Sequence, residues 1–73
     1  MSLKSKSLLL LGHKVRTMRQ QLGYTQERLA EQCEFDRTYI SQLERGLRNP
    51  SFINLMKLAQ GLGISISELT TGI

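Results

Sequence analysis

The chain has 73 residues, a length expected to form one compact domain, without room for a second that senses a ligand. Ten lysines and arginines against six acidic residues, a formal net charge of +4, favour a polyanionic partner. A lone cysteine, Cys33, excludes an internal disulfide and a cluster of thiolate metal ligands and fits a reducing cytoplasm, while the apolar run Leu8 to Leu11 stops at Gly12-His13-Lys14, too short for a signal-peptide core or a membrane span.

The apolar spacing is helical nearly throughout, with no alternating strand pattern, and predicts an all-α bundle of five short helices. Residues 1–7 are expected to be a flexible leader to a domain over 8–73. In the first helix Leu11, Val15, Met18 and Leu22 mark one buried face, with Lys14, Arg16, Arg19 and Gln20 beside or opposite it, and Gly23 is the stop. Thr25 can cap a second helix by accepting a hydrogen bond from a first-turn N–H, Glu27 suits the positive end, and Leu29, Ala30 and Cys33 point inward. Cys33-Glu34-Phe35 makes the turn. Asp36 is the expected N-cap of a third helix running to Arg45 and closed by Gly46. After Leu47-Arg48-Asn49-Pro50, Ser51 caps a fourth helix with Phe52, Leu55, Leu58, Ala59 and Leu62 inward, ended by Gly63. Ser65-Ile66-Ser67-Glu68 has capping-box spacing, so a last short helix is expected to return Leu69 to the core.

Two short helices joined by a tight turn, with basic residues near both, describe a helix-turn-helix whose second helix enters the DNA major groove. At about 100° per residue, Ile40, Leu43 and Glu44 fall on the inner side of that second helix, and Thr38, Ser41, Gln42 and Arg45 on the outer. Short polar groups let a helix approach base edges, while an amide or guanidinium can make paired hydrogen bonds there. Gln42 is therefore the candidate reader of adenine and Arg37, in the first turn, of guanine; Thr38 suits a thymine methyl or a phosphate, and Ser41 completes the base-facing set. Arg45 is a candidate for the phosphates. Tyr39 suits packing against the turn as well as a phosphate contact.

Taken together, Arg19, Leu22-Gly23-Tyr24-Thr25-Gln26, Leu29-Ala30, Asp36-Arg37-Thr38-Tyr39-Ile40-Ser41, Leu43-Glu44-Arg45-Gly46 and Leu62-Gly63-Ile64-Ser65 resemble the Cro and phage-repressor type of regulators, over about Leu11 to Leu69. The resemblance implies a lambda-repressor-like fold and a transcriptional regulator of double-stranded DNA. It implies that Gln26 holds a phosphate at the second helix's N-terminus, that Arg48, Asn49 and Ser51 meet the backbone, and that Arg19 and Glu44 form a structural ion pair. The run Arg37 to Ser41, followed by Glu44-Arg45-Gly46 and Arg48-Asn49, looks especially like the controller proteins of restriction-modification systems, which bind operators upstream of their own gene and the endonuclease gene. For activation, such a role implies RNA polymerase as a partner.

Ile53, Met56, Ile66 and Ile73 remain once the core is filled. They are either scattered surface apolars or, as the resemblance implies, a homodimer seam that sets two recognition helices about 34 Å apart on a near-palindromic site. His13 has no neighbour at ligand spacing, Cys33 reads as a small buried apolar residue, and Ser41 and Ser67 lack triad partners, so no enzyme, metal, cofactor or small-molecule ligand is expected. The competing reading is an antitoxin-like module whose surplus apolar residues neutralise a partner protein; RNA binding would call for exposed aromatic platforms.

Overall fold

The computed structural model describes residues 3–73 and, within them, five helices: α1 (Leu3–Gln21), α2 (Gln26–Cys33), α3 (Arg37–Glu44), α4 (Phe52–Leu62) and α5 (Ile66–Thr70). α1 takes in residues 3–7 of the segment expected to lead into the domain, while Met1 and Ser2 lie outside the described residues. No helix among the described residues is long and apolar enough to cross a membrane.

Local chemistry sets most of the boundaries. The Thr25 and Ser51 hydroxyls accept from the backbone N–H groups of Arg28 (3.0 Å) and Asn54 (3.1 Å), satisfying donors the helix cannot. Ser65 and Glu68 close a reciprocal capping box around the start of α5. At its far end α5 is tied to α1, where Lys14 Nζ donates to the Thr71 carbonyl at 2.7 Å. Asp36 has the extended backbone of an N-cap, but its side chain makes no capping hydrogen bond, so the carboxylate does not satisfy the donors it was expected to. The turn between α2 and α3 is made by Glu34 in the left-handed conformation (φ 61°, ψ 42°), and its N–H returns to the carbonyls of Ala30 and Glu31. A side chain in that conformation is held there by its surroundings.

The core is small and aliphatic: Leu11 and Val15 of α1, Leu29, Ala30 and Cys33 of α2, Ile40 and Leu43 of α3, Leu58, Ala59 and Leu62 of α4, and Leu69 of α5. Two residues expected inside are not. Leu22 is 46 % exposed, because α1 has already ended at Gln21 and the chain turns before the next inward position is reached. Phe52 is 65 % exposed; it opens α4, a turn ahead of Leu55 and Leu58, which meet the core. Helical spacing names the face of a helix but not how far along that face its neighbours extend.

Two glycines set how closely helices approach. A Cβ built on Gly12 would overlap the carbonyl oxygens of Leu43 and Glu44, so α1 lies directly on the last turn of α3. One built on Gly61 would overlap Cys33 Sγ, which seats α4 against the end of α2. Burial pushes the Cys33 thiol up to about 11, which leaves it a neutral packing group at physiological pH.

Gly61→Ala should therefore destabilise the fold by about 1–3 kcal/mol in urea melting, although alanine is the better helix former, because the added methyl has no space. In a Cys33→Ala background the same change should cost clearly less, since the sulfur it meets is gone. Equal losses in both backgrounds would show that the methyl strains something else.

Candidate nucleic-acid interface

α2 and α3 cross with Ile40 and Leu43 buried beneath them, which turns the opposite side of α3 outward. Arg37 and Thr38 are exposed in its first turn, and Ser41 and Gln42 are half-buried one turn further on. Arg45, counted as the last helical residue in the sequence, is the C-cap (φ −91°, ψ 4°), and its side chain is exposed beyond the helix end.

Alongside α3 runs a cleft of about 430 Å³. It brings together Thr38, Gln42, Tyr39 and Arg48, which come from α3 and the following loop, with Phe35 from the turn and Asn54 from α4; Glu34 and Asp36 line it as well. Arg37, Ser41, Asn49 and Ser51 are not among its lining residues. Arg37 and Asn49 stand exposed to solvent, while the Ser51 hydroxyl caps α4.

Tyr39 is the centre of this arrangement. Its ring lies 4.6 Å from that of Phe35, tilted by 41°, and its hydroxyl accepts from Asn54 Nδ2 at 3.1 Å. The Arg48 guanidinium sits 4.9 Å above the same ring, and Lys57 Nζ lies 5.6 Å from the Phe35 ring. Of the two roles open to Tyr39, packing against the turn is therefore realised in the free protein. Phe35, Asn54 and Lys57 were missed as site residues. Phe35 reads as core in sequence, and an asparagine and a lysine inside a helix carry no local signal of a partner fifteen or more residues away.

The expected ion pair is formed and extended. Arg19 Nε donates to Glu44 Oε2 at 2.6 Å and Nη2 to Oε1 at 3.1 Å, the paired geometry in which a guanidinium and a carboxylate fit best. Arg19 Nη1 also holds the Tyr24 carbonyl at 2.8 Å, and Gln26 Nε2 donates to Glu44 Oε1 at 3.1 Å. The Arg19 and Glu44 side chains are only 11 % and 3 % exposed. Gln26 thus begins α2 with its amide nitrogen turned toward Glu44, which orients the whole side chain.

The apolar surplus separates into two places. Met56 and Ile66 line one shallow groove, of about 440 Å³, with Ala59, Gln60 and Ile64, and Ile53 is exposed on α4 one turn before Met56. Ile73 lies elsewhere, lining a groove of about 280 Å³ against α1 with Leu10, His13 and Lys14. Among the described residues no group of histidine, cysteine and carboxylate side chains is placed to hold a metal ion.

Comparison with known proteins agrees with this geometry. The helix-turn-helix family profile matches residues 15–69. The control protein C.MunI of a Mycoplasma species is 44 % identical over 63 residues, 85 % of each chain. Control protein C.BamHI of Bacillus amyloliquefaciens is 45 % identical over 62 residues, 84 % of this chain and 76 % of that one. Among solved structures, the restriction-modification controller protein C.AhdI of Aeromonas hydrophila superposes with a TM-score of 0.85 at 41 % identity, over 88 % of this chain and 97 % of that one.

Removing one partner of a desolvated pair strands the other. Glu44→Ala should cost about 3–5 kcal/mol in urea melting, enough to threaten folding of so small a domain, and Glu44→Gln less, because its carbonyl still accepts. Arg19→Ala should add little in the Glu44→Ala background; additive losses would mean that the two residues act separately.

Proposed function

The chain belongs to the helix-turn-helix family and is a DNA-binding transcriptional regulator, not an enzyme; on that premise we propose that it is the controller of a restriction-modification system, acting in the cytoplasm as a homodimer on a near-palindromic operator. The observation that carries the reading is the outer face of α3, where exposed Arg37 and Thr38 precede Gln42 beside the cleft that holds Arg48. Likeness to C.AhdI over nearly the whole of both chains supports the controller role, because the resemblance extends beyond the motif.

In this reading α3 enters the major groove with its N-terminal end leading and its outer face toward the bases. Arg37 and Gln42 present paired donors and acceptors to base edges, with Thr38 and Ser41 filling the space between. Gln26 at the start of α2, Arg45 at the end of α3, and Arg48, Asn49 and Ser51 in the loop and cap that follow meet the phosphates. Those contacts fix the register without carrying sequence. The groove at Met56 and Ile66, with Ile53 beside it, is the seam for a second copy. Self-association through one patch produces two-fold symmetry, and two-fold symmetry requires a two-fold operator. RNA polymerase is the partner for any activating step.

In-vitro selection from random duplex DNA at near-physiological salt should recover a two-fold symmetric site. On that site Gln42→Ala should relax base preference at one position of each half-site. Arg48→Ala should instead weaken every sequence alike and reduce the salt slope by about one. Equal losses for both variants on all sequences would remove the division between readers and clamps. Ile66→Asp should sediment as a monomer at concentrations where the parent protein is a dimer, and an unchanged mass would take Ile66 out of the seam. Salt-sensitive binding without sequence preference would favour a module that captures a partner protein.

A further inference from the structure

We propose that Tyr39 is a positioning residue, whose ring holds the Arg48 guanidinium in place to clamp a DNA phosphate, and that Asn54 locks that ring. The proposal rests on the DNA-binding reading above and assigns within it two roles that the helix-turn-helix pattern does not specify.

Arg48 is an exposed residue of an irregular loop, and a free arginine there would lose much side-chain entropy on binding a phosphate. Here the loss is reduced before DNA arrives. The guanidinium rests 4.9 Å above the Tyr39 ring, and among the described residues it has no ion pair or hydrogen bond that would occupy its donors. A guanidinium held over a ring still has N–H groups along its planar edge that can fork onto phosphate oxygens. A lysine ammonium can also sit over a ring, but it has no planar fork to present to the phosphate.

The platform is itself braced on two sides. Phe35 packs against the Tyr39 ring at 4.6 Å, and Asn54 Nδ2 holds the hydroxyl at 3.1 Å, tying the ring to α4. Tyr39 and Arg48 line the same cleft as Thr38 and Gln42, so the clamp is set at a fixed distance from the side chains that face the bases. The Tyr39 hydroxyl accepts from Asn54 and keeps its own proton, so a direct bond to a phosphate is the competing role, and Tyr39→Phe, which removes that proton and keeps the ring, separates the two.

The test compares Tyr39→Phe, Tyr39→Leu, Arg48→Ala and the Tyr39→Leu/Arg48→Ala double variant in the full chain. Each is titrated with a selected duplex and a random duplex across a salt series, after melting curves establish that it is folded. Tyr39→Phe keeps the ring and should bind within about twofold of the parent. Tyr39→Leu should lose about two- to fivefold on both duplexes, the worth of an exposed cation–π contact. Arg48→Ala should lose at least as much and flatten the salt slope by about one, and the double variant should be no weaker than Arg48→Ala alone. A Tyr39→Phe loss as large as that of Tyr39→Leu would overturn the proposal, because the hydroxyl and not the ring that carries Arg48 would then set the affinity, and losses that multiply in the double variant would overturn it because Tyr39 and Arg48 would then act separately. If Tyr39→Leu does not fold, Tyr39→Met takes its place: a loss of about two- to fivefold that disappears in the Arg48→Ala background upholds the proposal, and full affinity overturns it. A parent protein that binds neither duplex sinks the DNA-binding reading itself, an outcome distinct from any of these.

Discussion

The functional face of this protein depends on one carboxylate. Glu44 ends α3, yet its side chain is nearly fully buried, and it is the point at which α1, α2 and α3 are joined by hydrogen bonds. Arg19 reaches it from α1 and also holds the Tyr24 carbonyl in the turn before α2; Gln26 reaches it from the first residue of α2. The angle between the two helices of the motif is thus set by charge-assisted hydrogen bonds with directional geometry, where an apolar contact alone would allow sliding. Gly12 lets α1 lie directly on the carbonyls of the last turn of α3, so the ion pair and the close backbone approach act on the same end of the same helix.

This leaves the other end of α3 free for chemistry. Ile40 and Leu43 hold the helix down while Arg37, Thr38 and Gln42 project from the side that carries no structural duty. The loop after α3 is tied at its start by backbone hydrogen bonds from Gly46 and Leu47 back to Leu43 and Gln42, and further on side chains hold it: Arg48 over Tyr39, Tyr39 on Phe35, and Asn54 on the Tyr39 hydroxyl. A domain with so small a core has little packing to spare for loops, and a tilted aromatic pair, a cation over its ring and one amide hydrogen bond help to organise this one without adding residues.

Much of the fold was legible in the sequence because short helices are bounded by local chemistry. Thr25, Ser51 and the Ser65–Glu68 pair act within three residues of themselves, so their hydrogen bonds could be expected without knowing the fold. Asp36 shows the limit: its backbone is that of a cap, but its side chain is unconstrained by sequence and makes no capping bond. Leu22 and Phe52 fit the apolar period and still face solvent, because the helix that carries Leu22 has already ended and the first turn of α4 lies ahead of the core. The pair of Arg19 and Glu44, separated by 25 residues, was expected only through the likeness to Cro-type regulators.

By itself, then, the sequence determined the helices, the caps at Thr25, Ser51 and Ser65, the polar outer face of α3 and the basic charge that suits DNA, since each depends on neighbours a few residues away or on composition. Tertiary structure alone decided what Gln26 touches, that Arg48 lies over the Tyr39 ring, that Asn54 holds the Tyr39 hydroxyl, and that Ile73 lies apart from Met56 and Ile66. The physical reason is range. Capping and periodicity act along the chain, whereas a stacked cation, a shared carboxylate and a surface groove join residues that only packing brings within a few ångströms.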